Sequence, residues 1–328
     1  MIKNLPIAII GGGMSGIMAA LTLKKHGYEN VFIVEKSRSV GGRMATRRMD
    51  IGKVDHGAQF FTARTERFQA FVDDWIAKGT VKCWFGDKHP RYMAVDGMNS
   101  FANKVAEGIP TRFQTKVEEI RKAPNGYTLV TDQGECITAS GIIFTVPAPQ
   151  TKAVIDRNHL GIDSKVLQKL SEIRFQPCLV GLFLFHKKTN LPRDGHLDRD
   201  LPEGIQRLVD HEKKTISPLK TVSVYMTGEW SQAYYGFTDE EVLDKMRYLT
   251  SAYFEYDSLI TSQLKKWRYA QAVHYLREPY LDMNLEHPLL VAGDAFLYPG
   301  DPGNQARLES AFISGIMAAG RMIHLLDH

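Results

Sequence analysis

From Pro6 to Ile10 the chain is continuously apolar and rich in β-branched residues, the pattern of a short strand buried on both faces. Gly11 to Gly16 reads as a turn, Ile17 to His26 as a helix stopped by Gly27, and Val31 to Val34 as a second buried strand. Parallel strands need such a crossover, so the opening segment predicts a complete βαβ unit. Thr65 to Lys78 reads as a helix with Phe68, Phe71, Val72 and Trp75 on one face. Short strands fill Thr115 to Val146, with turns at Pro124-Asn125-Gly126 and Asp132-Gln133-Gly134. Leu179 to Phe185, Leu208-Val209 and Thr221 to Met226 read as sheet, and Asp239 to Glu255 as an amphipathic helix capped by Thr238. Leu289 to Ala292 is again a buried strand, and Ala306 to Leu326 a long final helix.

Buried parallel strands therefore sit at both ends of the chain with other sheet between them. The pattern predicts an α/β fold: a Rossmann-like domain assembled from both termini, with an inserted mixed-sheet substrate domain. The expected division gives 1–60, 101–150 and 284–328 to the cofactor domain. The substrate domain takes 61–100 and 151–283.

Composition changes this picture little. The 328 residues are 44% hydrophobic and 24% charged, an ordinary globular balance with a net charge of +4. The densest basic cluster, Arg43, Arg47 and Arg48, adjoins a glycine motif and reads as a local anion site, not a nucleic-acid surface. Cys83, Cys136 and Cys178 form no Cys-x-x-Cys pair, which argues for free thiols in a reducing, cytoplasmic setting and against a metal site or redox dithiol. The uncharged stretch from Leu5 to Leu23 behind Lys3 superficially resembles a signal peptide or membrane span. Gly11, Gly12, Gly13, Ser15 and Gly16 would break a helix in its middle, and the apolar Ser310 to Gly320 is shorter than the roughly 20 residues a span requires. No targeting segment and no membrane span are expected.

The chemistry begins in the first turn. Gly11, Gly13 and Gly16 form G-x-G-x-x-G between strand and helix. Their spacing permits a tight turn, backbone approach to a pyrophosphate, and close packing of helix on strand. Ser15 joins the group that faces the diphosphate at the positive end of the helix. Glu35 ends the second strand, about 20 residues beyond the glycines, where a carboxylate accepts hydrogen bonds from an adenosine ribose. NAD or FAD would satisfy this unit alone. The second glycine pair and arginine, Gly41-Gly42-Arg43, suit a longer cofactor lying across the sheet, as does the distant Val291-Ala292-Gly293-Asp294-Ala295. Asp294 is placed to bind the ribityl or diphosphate portion of a flavin, and the final helix to direct its N-terminus at the flavin pyrimidine ring. Arg43 is the candidate for cofactor phosphate. Lys36 is counted with the cofactor contacts, on a solvated edge with Arg38 beside the adenosine.

These blocks, IAIIGGGMSGIMAA, EKSRSVGGRMATRR, DHGAQFFTAR, DGMNS, TVPAPQ, KKWRYAQ and VAGDAF, span nearly the whole chain. The chain resembles the renalase-like branch of the FAD-dependent amine oxidase superfamily, bacterial renalases most closely. DHGAQFFTAR and KKWRYAQ are the blocks most specific to that branch. The resemblance implies a two-domain fold like that of p-hydroxybenzoate hydroxylase, with noncovalent FAD and a backbone contact from Val117 to the adenine side. The absence of any cysteine after Cys178 independently excludes the cysteine–flavin bond of monoamine oxidases. The resemblance further implies oxidation of 2- or 6-dihydro isomers of NAD(P)H, with hydride passing to flavin N5 and oxygen as the expected electron acceptor, giving NAD(P)+ and hydrogen peroxide.

On the substrate side the resemblance points to Tyr269 in WRYAQ and His211 in LVDHEKK, both of which differ from the commoner residues of the family. Gln59 follows as a contact to flavin or substrate amide. A solvent-exposed place competes for His211, ordinary packing for Tyr269, and a structural hydrogen bond for Gln59. Arg64 is a candidate for a substrate anion against a plain surface role, and Trp230 and Trp267 for an aromatic pocket against core. Two other functions remain open on the residues alone: a flavin amine oxidase acting on small amines, and a non-catalytic flavin-binding protein.

Overall fold

Strand Ile7–Ile10 lies at the centre of a six-stranded sheet in the computed structural model, which describes residues 6–327. Lys3 and Leu5, at the start of the uncharged stretch, lie outside the described residues. Val31–Val34 and Gly141–Phe144 pair with the central strand on either side, both in parallel. Thr111–Arg112 extends the sheet beyond Val31–Val34, and Leu289–Val291 with the short antiparallel Leu281–Asp282 extends it the other way. The chain's two ends thus meet in one sheet.

The helices Met14–Lys25 and Leu308–Asp327 cover one face, burying Ile17, Leu23, Phe312 and Met322 with Ile9 and Ile33. They approach so closely that a methyl group on Gly315 would stand 2.1 Å from the Ser15 carbonyl oxygen. The first helix begins at Met14, three residues before its predicted start, because Gly13 supplies the extended N-cap backbone directly after the turn.

Residues 61–100, expected with the substrate domain, share this core. Helix Glu66–Ala77 and hairpin Val81–Phe85/Arg91–Ala94 contribute Phe68, Val72, Trp75, Val81 and Tyr92 to it. Phe68 meets Phe312 edge-on at 4.9 Å between centroids, a contact between segments far apart in sequence. Phe71, predicted on the buried face, is partly exposed but still lies 4.8 Å from Phe312. The opposite face of the parallel sheet packs on an antiparallel sheet of Val117–Ala123, Gly126–Thr131 and Cys136–Ala139, and on helices Ala148–Ile155 and Ser164–Glu172.

The second large sheet runs in the order His196–Leu197, Ile205–Asp210, Lys220–Met226, Arg174–Phe185, Leu259–His274, antiparallel throughout. Its outer face buries Leu179, Phe183 and Val224 under helix Asp239–Leu249. That helix opens with the predicted Thr238 in a capping box with Glu241. It ends six residues before Glu255, where Thr250 Oγ1 donates to the Met246 carbonyl oxygen at 2.6 Å. The inner face, Val180, Leu182 and Tyr225, packs on Met49 and Val54 of hairpin Thr46–Met49/Gly52–Asp55. This hairpin follows the second glycine pair and joins the first part of the chain to the second large sheet. No helix among the described residues is long and apolar enough to cross a membrane.

Candidate functional site: a flavin crevice under a buried polar hub

The carboxyl ends of the parallel strands open on the glycine loop. Gly11 has φ +110, a backbone only glycine adopts readily, and it turns the chain out of the central strand. A methyl group on Gly16 would stand 2.1 Å from the Gly11 carbonyl oxygen, so only glycine allows helix and strand to pack here. Gly13 is different: a methyl group there meets nothing within 4 Å. Beside it the Ser15 Oγ is buried without a hydrogen-bond partner among the described residues, on a helix with no acidic residue in its first turn. An open approach at Gly13, an orphaned hydroxyl and the positive helix end together fit a diphosphate. Glu35 is buried at the end of its strand, accepting from Gly12 N–H at 2.7 Å and Ser37 N–H at 2.8 Å. The chain from Arg112 to Thr115 runs alongside it, and Val117 follows directly as the buried start of the small sheet. Lys36 is exposed, with Nζ 3.5 Å from Gln150 Oε1.

The Gly41-Gly42-Arg43 and Gly293-Asp294 loops come together beside the glycine turn. Gly41 N–H donates to the Gly12 carbonyl oxygen at 2.7 Å, and a methyl on Gly42 would lie 3.5 Å from Gly13 Cα. Arg43 forks onto Asp294 through Nη1 at 2.8 Å and Nη2 at 2.5 Å, although 251 residues separate them. Its Nη1 also reaches the Ala270 carbonyl oxygen at 3.1 Å. Ser310 and Ser314 of the C-terminal helix hold the Gly293-Asp294 turn, their hydroxyls meeting Asp294 O and Gly293 N–H, each at 3.0 Å. Residues predicted from four separate stretches of sequence thus line one place.

On the substrate side, Gln59 is buried and structurally engaged: its Nε2 donates to the Asp55 carbonyl oxygen at 2.7 Å and contacts the Tyr225 hydroxyl. Lys214, fully buried, donates to Asp55 Oδ2 at 2.8 Å, Gln59 O at 2.7 Å and Gln59 Oε1 at 3.0 Å. Asp55 Oδ1 accepts from Thr46 Oγ1 at 2.6 Å and Met98 N–H at 3.0 Å. Burial works to raise the Asp55 pKa, but Lys214, His211 and these hydrogen bonds outweigh it and hold the carboxyl below its usual range. Burial pushes the Tyr225 hydroxyl well up, so it stays neutral. His211 is not at the surface. It is fully buried, its Nε2 2.9 Å from Ser223 Oγ, and burial and Lys214 lower its pKa to about 3. The loop between two strands that carries it also carries Lys214, and Asp210 at its start accepts from Glu212 and Lys213 N–H at 2.9 and 3.1 Å.

Tyr269 is half-buried, edge-on to Phe175 at 5.9 Å, and Phe175 lies 5.7 Å from the Arg43 guanidinium. Trp267 Nε1 donates to the His56 carbonyl oxygen at 2.7 Å, and the two rings stack at 5.4 Å. Burial, with Lys265, lowers the His56 pKa to about 4. Trp230 packs instead on Tyr234, away from this group, and Arg64 is exposed. Asp55, Lys214 and Tyr225 were not legible as site residues. Asp55 and Lys214 are 159 residues apart, and no local pattern marks a lysine that will be buried.

Fold and crevice together define a dinucleotide-binding oxidoreductase of the flavoprotein class. Residues 9–75 match the NAD(P)-binding Rossmann-like domain, and residues 80–323 match the flavin containing amine oxidoreductase family. The chain belongs to the flavin containing amine oxidoreductase family, its cofactor is FAD, and it is an FAD-dependent oxidoreductase. Among curated relatives it is 34% identical to the 1-hydroxycarotenoid 3,4-desaturase of Flavobacterium sp. (strain P99-3) over 107 residues, covering 30% of this chain and 22% of that protein. The chain thus spans about a fifth of that relative's length. A protein from Exiguobacterium sp. 255-15, assigned as a protoporphyrinogen oxidase, superposes with TM-score 0.67 at 12% identity, over 99% of both chains. A triple mutant of putrescine oxidase superposes with TM-score 0.68 at 13% identity, over 98% of this chain and 99% of that one. At these identities the structural likeness is one of fold.

Proposed function

We propose that this protein oxidises dihydronicotinamide dinucleotides whose ring is reduced at the 2 or 6 position, releasing NAD(P)+ and hydrogen peroxide. The observation that carries this reading is the meeting of the two blocks most specific to the renalase-like branch. DHGAQFFTAR and KKWRYAQ join through Trp267 and His56, beside the Ala270 carbonyl that Arg43 holds. The Gly11–Gly16 turn, Glu35 and the loops joined by Arg43 and Asp294 would hold FAD, which would supply the hydride acceptor, with oxygen as the final two-electron acceptor and one further proton taken up to balance the peroxide.

The chain's own part in this chemistry is positioning. A dihydropyridine becomes aromatic on losing hydride, so no side chain must remove a proton from carbon. His56 and His211, with pKa values near 4 and 3, are neutral at pH 7 and place no cation against the pyridinium that forms. The Trp267 ring face favours that positive charge. Arg43 and Asp294 lock the cofactor loops together so that the ring platform stays in register.

The test is anaerobic stopped-flow bleaching of the flavin absorption with NADH partly isomerised to 2- and 6-dihydro forms, alongside pure 4-dihydro NADH and simple amines. Fast bleaching by the isomers alone is expected. Bleaching by amines instead would move the protein to amine oxidation, and no bleaching by either would leave the reading without support.

A further inference from the structure

The edge of the substrate sheet remote from Trp267 carries a cluster that the chemistry above does not use. Arg91, on the small hairpin, and Arg207, on strand Ile205–Asp210, both lie over the ring of Phe60, at 5.8 and 4.9 Å from its centroid. Arg91 is also 5.3 Å from the centroid of Phe85. Buried His196 packs its ring on Phe60, Trp84 and Phe85, at 5.8, 5.5 and 4.8 Å. Two guanidinium groups therefore share one phenyl ring, and among the described residues neither forms an ion pair with a carboxylate. Asp198 reaches the cluster at 3.7 Å from His196 Nε2 and also faces the Arg207 charge without pairing with it, and Asp194 acts on the same imidazole. Burial, with Arg207, lowers the His196 pKa to about 4, so it adds no charge at pH 7.

The donors are what the cluster leaves open. Arg91 gives Nη1 to the His89 carbonyl oxygen at 2.9 Å, but Arg91 Nε, Arg207 Nε and His196 Nε2 are buried without a hydrogen-bond partner among the described residues. An aromatic face attracts a cation but does not replace a hydrogen-bond acceptor. Two like charges drawn together with buried N–H groups unmet is an arrangement that an anion relieves, and the planar guanidinium fork matches a phosphate.

Sheet register places the cluster relative to the ring platform. Arg207 pairs with Tyr225, Tyr225 with Val180, and Val180 with Lys265. Trp267 pairs with Cys178, two residues along from Val180 on the same face. Three interstrand steps, about 14 Å, therefore separate Arg207 from the strand carrying Trp267. A small amine seated at Trp267 would not touch it, whereas a dinucleotide carries its phosphates away from its reacting ring.

We infer that Arg91 and Arg207, backed by Phe60, Trp84, Phe85 and His196, form a subsite for a phosphate of the dinucleotide substrate. The identity of that substrate rests on the function proposed above; the phosphate subsite rests on the cluster alone. The test is calorimetric titration of the FAD-loaded protein with ADP and with adenosine 2′,5′-bisphosphate. It compares wild type, Arg207→Gln, Arg91→Gln and, as control, Arg121→Gln, an exposed arginine paired with Glu119. Both cluster variants are expected to bind about tenfold more weakly, as for loss of a charge-assisted pair, with the control unchanged. Unaltered melting temperatures and flavin spectra would show that the variants remain folded. Weakening of both nucleotides assigns the subsite to the diphosphate; weakening of the 2′,5′-bisphosphate alone assigns it to a 2′-phosphate. Steady-state KM for the dihydro dinucleotide should rise by a similar factor with kcat unchanged, while the dihydronicotinamide riboside, which has no phosphate, is unaffected. No nucleotide binding by the wild type, or equal binding by both variants, overturns the subsite. Loss of binding in Arg207→Gln within a protein that oxidises no dihydronicotinamide keeps the subsite and removes the proposed substrate.

Discussion

His211 holds its Nε2 against Ser223 and leaves its Nδ1 buried without a partner, in a place where protonation has nowhere to put its charge. Its folded pKa of about 3 lies below the roughly 6.5 of an unfolded histidine, so as pH falls the unfolded chain takes the proton first. The stability this neutral burial allows is complete above about pH 6.5. It is lost progressively below that, by up to about 1.4 kcal/mol per pH unit until the folded pKa is reached. His56, lowered to about 4, acts in the same direction. His211→Gln keeps a hydrogen-bonding amide near Ser223 but cannot titrate. Urea unfolding at pH 7 and pH 5 should show a shallower pH slope than wild type by up to about 1.4 kcal/mol per unit, and an unchanged slope would mean the imidazole is not held neutral. In the sequence, nothing about Asp210-His211-Glu212 distinguished a buried histidine from a solvated one. Charged neighbours suggest exposure, whereas the folded loop is held by Asp210, which accepts from Glu212 and Lys213 N–H, and by Lys214 on Asp55.

At the scale of an element, the glycine loop separates two roles that one motif conceals. Gly16 is needed by the fold, because any side chain there meets the Gly11 carbonyl oxygen. Gly13 has ordinary φ and free space, so the fold itself does not need it. Gly16→Ala should lower the stability of the flavin-free protein by about 1–3 kcal/mol, an overpacking cost. Gly13→Ala should leave the flavin-free melting temperature within a degree or so and weaken FAD binding by about tenfold, a loss of about 1.4 kcal/mol. Thermal melts with and without FAD, together with flavin content on purification, check both; a stable, fully flavinated Gly13→Ala would contradict the diphosphate approach at this glycine. This element was legible because its requirements are local. Strand, turn, helix and terminal acid all fall within Ile7 to Glu35, where spacing alone states the geometry. The early end of helix Asp239–Leu249 was not, since Thr250 stops it by bonding to Met246 without a glycine or proline to signal the break.

In the whole molecule, Asp55 and Lys214 tie the cofactor-side hairpin to the substrate sheet with both charges out of water. Removing one partner strands the other: Lys214→Met is expected to cost about 3–5 kcal/mol in urea unfolding, and adding Asp55→Asn should recover part of that loss. Additive losses in the double variant would show that the pair is not coupled. The sequence by itself determined the βαβ unit, the glycine turn within it and the return of the C-terminus to the first sheet, because buried parallel strands and glycine turns each leave a short-range pattern. It did not show what 61–100 packs on, since Phe68 and Trp75 show only that one helix face is apolar, not which distant residue, here Phe312, covers it. The Arg43–Asp294 fork, the Trp267–His56 platform and the Asp55–Lys214 hub were decided only by tertiary structure. Each joins residues more than 150 positions apart, and whether a charge is solvated or buried depends on the partner that the fold brings to it.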